Sequence, residues 1–160
     1  MTAIETLVSF CIANDIDHAL VDNNTVLAAF TGIQRKSLSI VFVQGQHYFR
    51  AESFVARNPD ENHEAVYRWL LEQNTTMVLA RYGLDRFGDI YLSASVPLGQ
   101  VDSALIDQLL GVIVTNADFS FNTLLELGFR NAIEREWAWR NSRGLPADNL
   151  AAFSHLFETD

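Results

Sequence analysis

The strongest constraint in this sequence is a helical signal too long for the domain that carries it. Asp102 reads as a helix cap, and Leu105, Leu109, Val112, Ile113, Ala117, Phe121, Leu124 and Leu125 follow at helical spacing. The pattern continues past Gly128 to about Asn141. At ~1.5 Å per residue, an unbroken helix over 103–141 would be roughly 58 Å long. A chain of 160 residues folded as one unit has a diameter of only about 40 Å. The helix must break or project beyond its domain. The break is expected at Gly128, because glycine is about 1 kcal/mol worse than alanine inside a helix.

The residues before this helix alternate between two hydrophobic periods. Thr2 with Glu5 forms a capping box, and Ile4, Leu7, Val8, Cys11 and Ile12 make one apolar stripe that ends at Asn14-Asp15. Period-two segments follow: a short arm over 18–21, a turn at Asp22-Asn23-Asn24, then strands over 25–31, 37–44 and 47–56. Gly45-Gln46 is the expected hairpin turn. Asn58-Pro59-Asp60-Glu61 has the composition of a helix start, and Val66, Trp69 and Leu70 line a second helix that stops near Asn74. Strands over 78–84 and 89–98 complete the set. In the last, Ile90, Leu92, Ala94 and Val96 alternate with Asp89, Tyr91, Ser93 and Ser95, so one face is covered and the other partly solvated.

The resulting order is α-β-β-β-α-β-β-α, with a C-terminal helical extension. This predicts an α+β fold in which an antiparallel sheet is flanked by helices. Residues 1–143 form the α+β domain. Residues 144–160 form a docking helix or tail, in which Asp148 is the cap and Leu150, Phe153 and Phe157 the apolar side.

Composition limits the function. The formal net charge of −9 opposes a phosphate backbone, so no nucleic-acid partner is expected, and acidic membrane surfaces are disfavoured for the same reason. No stretch reads as a membrane span or a signal peptide, and a cytoplasmic protein is expected. Apolar content of 49% suffices for a core without disulfide or metal.

Candidate chemistry is thin. Asp15, Asp17 and His18 offer metal ligands within four residues, but they read as a turn and no second cluster completes a shell. Cys11 lies on an apolar stripe and reads as a buried thiol. His63 and Glu64 beside Asp60 and Glu61 read as an acidic helix start. No nucleophile elbow or phosphate-binding glycine motif is present, so no catalytic residue, cofactor or metal site is expected. Trp137, Trp139 and Arg140 stand out instead. Residues two apart point in different directions on a helix, so one core face cannot bury both rings. Either one ring packs on the sheet and the other under the C-terminal extension, or they meet a partner.

The segment Arg86-Phe87-Gly88-Asp89-Ile90-Tyr91-Leu92-Ser93-Ala94-Ser95-Val96-Pro97-Leu98 resembles YbjN-type bacterial proteins. The long helix that follows, with Leu109-Leu110-Gly111 and Leu124-Leu125-Glu126-Leu127-Gly128-Phe129, is similar to theirs as well. The element order resembles the type III secretion chaperone-like fold, over residues 2–130. The resemblance implies a homodimer with a regulatory or chaperone-like role on a polypeptide partner, and supplies no catalytic residues. A structural or scaffold subunit is the alternative, assembling through 128–143; a small-molecule or metal-dependent enzyme is a third.

Overall fold

The computed structural model describes residues 1–157. Six strands form one antiparallel sheet: β1 (His18–Asp22), β2 (Thr25–Phe30), β3 (Leu38–Gln44), β4 (Tyr48–Ala56), β5 (Arg81–Leu84) and β6 (Ile90–Pro97). Their spatial order is β1-β2-β3-β4-β6-β5. The expected order holds, and the arm over 18–21 is a full strand, β1, at the sheet edge.

Helix α1 (Ala3–Ala13) begins with the capping box read from the sequence: the Glu5 amide donates to Thr2 Oγ1 and the Thr2 amide to Glu5 Oε2. Ile4, Leu7 and Cys11 are buried, whereas Ile12, also on the expected stripe, is 68% exposed. Helices α1 and α3 (Ser103–Ser142) cover one face of the sheet, and α2 (His63–Thr76) packs against α3 and β5. The alternation decides which residues they cover. Phe49, Ala51, Ser53 and Val55 of β4 point inward, as do Ile90, Leu92, Ala94 and Val96 of β6. From α3, Ile106, Leu109, Ile113 and Ala117 meet them. Although no stretch is expected to read as a membrane span, part of α3 is long and apolar enough to cross a bilayer by length and composition; here its apolar stripe lies in the core.

The break in α3 is displaced by one residue from its expected place, and its cause is not glycine flexibility. Phe129 has φ −140° and ψ 20°, outside helical values. The carbonyl of Gly128 accepts hydrogen bonds from the amides of Asp60 and Glu61, at 2.9 and 3.2 Å. Glu61 then caps the second half of the helix: one carboxylate oxygen accepts from the Asn131 amide and the other from its Nδ2, both at 2.7 Å. Asn62 Nδ2 donates to the Leu127 carbonyl at 3.3 Å. The loop thus satisfies the backbone groups that a broken helix leaves bare.

The same contacts correct the expected start of α2. Asn58-Pro59-Asp60-Glu61 does not open that helix. Its cap residue is Asn62, left-handed at φ 53° and without a side-chain cap, because Glu61 serves α3 and Asp60 pairs with Arg57. At the other end, Asn74 donates to the Tyr82 carbonyl and accepts from its amide, tying α2 to β5.

Gly128 is buried with no room for a side chain: a Cβ there would sit 2.9 Å from Pro59 Cβ and 3.3 Å from Val66 Cγ2. Helix propensity favours Gly128→Ala by about 1 kcal/mol. Overpacking a well-filled site costs about 1–3 kcal/mol. The contact wins: Gly128→Ala should lower unfolding free energy by about 1 kcal/mol in urea melts, whereas propensity alone would raise it.

Candidate interaction surface

Among the described residues no helix lies over the other face of the sheet. Val41, Val43, Tyr48 and Phe54 point outward there, each more than a third exposed. The register aligns them in rows across the strands. Val41 lies beside Glu52, which lies beside Ser93; Val43 lies beside Arg50, which lies beside Ser95. Phe54 is opposite Tyr91, their rings edge to face at 5.5 Å. Apolar and polar residues alternate in these rows, which suits a surface that is wetted when free and covered when engaged.

The two edges of the sheet differ. At β5, the amide and carbonyl of Tyr82 on the outer edge are occupied by Asn74. At β1, no residue is buried, Leu20 and Val21 are 58% and 63% exposed, and no hydrogen bond covers the outer edge among the described residues. Asp17 O accepts from the Ala29 amide, so by antiparallel alternation the amides of His18 and Leu20 point away from β2. A third exposed area is the outer side of α2, where His63, Tyr67, Leu71 and Thr75 line an open groove of about 730 Å³.

The three residues expected to make contacts have separate fates. Trp137 lies under the C-terminal extension and stacks on Phe157 at 4.5 Å, beside Ile133, Leu150 and Phe153. Arg140 is held within the chain: Nε bonds Glu136 at 2.6 Å and a terminal nitrogen donates to the Pro146 carbonyl at 2.9 Å. Trp139 remains open, 46% exposed, with Arg143 over its ring at 5.3 Å. The extension itself is a 3₁₀ segment, Asp148–Leu156, in which Asp148 is the first residue and not the cap. Its apolar residues Leu150, Phe153 and Leu156 recur every three positions, the period that lines one edge of a 3₁₀ helix. Of the expected docking segment, residues 158–160 lie outside the described residues.

Among the described residues no three His, Cys, Asp or Glu side chains converge as metal ligands. Asp17 and His18 line a hollow of about 100 Å³ with Ala19, Leu27 and Ala29. His18 Nδ1 contacts its own turn at Ile16 O, and His155 meets Glu126 at 3.1 Å. Cys11 is buried, and desolvation pushes its thiol pKa up, away from the reactive thiolate. Residues that sequence reasoning passed over lie in the connector before β3, where the Ile33, Gln34 and Arg35 amides all donate to the Asp118 carboxylate. Nothing local signals this, since Asp118 is more than eighty residues away on α3.

The fold is shared with three chains solved in protein complexes. A chain of the ExoU–SpcU complex from the type III secretion system of Pseudomonas aeruginosa aligns with a TM-score of 0.55 and 13% identity, over 76% of this chain and 97% of that one. A chain of the ExsC–ExsE complex aligns at 0.56 and 17%, over 75% and 91%. A chain of the HopA1–SchA chaperone–effector complex gives 0.53 and 9%, over 71% and 88%. These define the class: a type III secretion chaperone-like α+β fold. The family model YbjN, described as "Putative bacterial sensory transduction regulator", matches residues 3–126, and the chain belongs to that family. An uncharacterized protein of Mycobacterium leprae is 39% identical over 173 aligned residues, covering 99% of this chain and 93% of the relative. A protein of Mycobacterium tuberculosis is 44% identical over 134 residues, covering 84% and 73%. The family model ends two residues before Gly128, so the C-terminal unit lies beyond it.

The two tryptophans should separate in thermal melts. Trp137→Ala removes a stacked, half-buried ring and should lower stability by about 1–3 kcal/mol, whereas Trp139→Ala should change it by less than about 0.5 kcal/mol.

Proposed function

We propose that this chain is a non-enzymatic, cytoplasmic, chaperone-like or regulatory protein that acts as a homodimer on a polypeptide partner. The observation that carries this reading is the uncovered β1 edge, flanked by exposed Leu20 and Val21. Unpaired strand-edge amides and carbonyls accept an extended peptide as a further strand, and alternate side chains beside them select its sequence. That similar folds occur in complexes with protein partners supports it. A formal charge of −9 favours neutral or basic segments over acidic ones.

The homodimer rests on separate ground. The outer side of α2 presents Leu71 at 66% exposure, with Tyr67 beside it, along an open groove that a second copy would cover. Exposed Trp139 favours the second reading, a scaffold subunit that assembles through the end of α3.

Leu20→Pro tests the edge, because proline removes an outward amide while leaving the pairing with β2. The variant should lose partner capture in affinity purification, yet melt within about 1 kcal/mol of the parent. In sedimentation velocity at micromolar concentration, parent and variant should both run as dimers. A monomeric parent refutes the homodimer, and undiminished capture by Leu20→Pro refutes the edge. Dimers that dissociate on Trp139→Ala would support the scaffold reading instead.

A further inference from the structure

Between β3 and β4 the sheet forks, and an arginine fills the fork. Main-chain pairing runs from Gln44 opposite Phe49 to Val41 opposite Glu52 and stops there. Beyond it, side chains supply hydrogen bonds to the carbonyls of both strands. Ser53 Oγ donates to the Ser39 carbonyl at 2.9 Å, and one terminal nitrogen of Arg35 donates to the carbonyls of Phe54 and Val55 at 2.6 and 3.0 Å. The guanidinium sits between two aromatic rings, with centroids 5.5 Å away for Phe54 and 5.3 Å for Phe121. Its backbone is fixed as well, since Asp118 holds the amides of residues 33–35.

Among the described residues this arginine has no acid paired with its side chain. The Asp118 carboxylate accepts from the Arg35 main chain and not from its side chain. No carboxylate pairs with the guanidinium among the described residues, and its Nε and second terminal nitrogen form no hydrogen bond there. Among the described residues no side-chain nitrogen is buried without a partner, so these two nitrogens reach solvent. Arg35 itself lines a groove of about 330 Å³, together with Phe54, Phe121, Leu125, Phe129 and Ala132. Arg57, the other cation on this groove, makes the contrast clear: it lies over Phe129 at 4.5 Å but is neutralised by a two-pronged pair with Asp60 at 2.7 and 2.8 Å. In a chain with 20 acidic and 11 basic residues, an arginine fixed by neighbours and left without an acid is a site prepared for one.

We propose that this groove binds a small carboxylic acid with an aromatic or short alkyl body. The carboxylate meets the free side of the Arg35 guanidinium, and the body lies against Phe54, Phe121, Leu125 and Phe129. The dimensions suit it, because small-ligand pockets begin at about 300 Å³ and combine apolar walls with one or two fixed polar groups. The site is separate from the β1 edge, so it stands or falls independently of the polypeptide partner.

The test uses the full chain, with 4-phenylbutyrate as probe, its amide as the uncharged control, and acetyl-Gly-Phe with a free C-terminus as the peptide control. Binding is followed by chemical-shift changes in two-dimensional NMR. The acid should bind in the high-micromolar to millimolar range expected of so small a ligand, with shifts centred on Arg35, Phe121 and Ala132. Its amide should bind at least about tenfold more weakly, and Arg35→Gln should impose a similar loss. Arg35→Gln also removes two hydrogen bonds to β4, so Ala132→Phe is the second variant. It fills the groove, leaves those bonds in place, and should abolish the shifts while circular dichroism stays native. Equal binding of acid and amide, or undiminished binding by Ala132→Phe, overturns the proposal. So does the absence of saturable shifts up to about 10 mM acid. Binding of the peptide without the free acid would also overturn it, by assigning the groove to a chain terminus.

Discussion

The architecture depends on one exchange of hydrogen bonds between a loop and a helix. The amides of Asp60 and Glu61 reach the Gly128 carbonyl, and the Glu61 side chain caps the amide of Asn131. Without these contacts α3 would have no reason to break at Phe129, since its residues on both sides favour helix. With them, one helix becomes two, each with satisfied ends. The first half packs along the sheet and the second meets the C-terminal 3₁₀ segment through Ile133 and Trp137. The absence of a side chain at Gly128 matters for clearance: Pro59 occupies the space a methyl group would need.

That arrangement leaves the sheet covered on one side only. Helices α1 and α3 lie on the same face, so the outward rows of β3, β4 and β6 meet solvent, and β1 projects past the helices with neither face buried. A one-sided sheet of this kind gives the chain more apolar surface than a closed core would. It also places Arg35 at the point where β3 and β4 separate, where ladder hydrogen bonds run out and a side chain must supply them.

How much of this was legible from the residues depended on how local the controlling interaction is. The capping box at Thr2, the alternation of β6, and the order of elements all arise from neighbours within a few positions, and all were readable. The length conflict in α3 was readable too, because it needs only the rise per residue and the size of a domain. The start of α2 was misread, since Asn58-Pro59-Asp60-Glu61 has the composition of a helix cap but is recruited by residues 127–131. The same limit applied to Trp137 and Trp139: helical geometry separated them, but only the fold of the extension decides which ring it covers. The bond between Asp118 and the connector before β3 joins residues more than eighty positions apart, and no pattern in either segment announces it.

The break at Phe129 also has a mechanical side. Residues 130–142 make an arm of roughly 20 Å whose direction is set at its base by a handful of hydrogen bonds and the fit of Pro59, and along its length by the 3₁₀ segment, which packs on Leu125 before the break and on Trp137 after it. A rotation of about 10° at that base would sweep the far end, with Trp139, through about 3–4 Å. Loop 58–62 is thus placed as the fulcrum of a lever, and the 3₁₀ segment is the brace that holds its two arms at one angle.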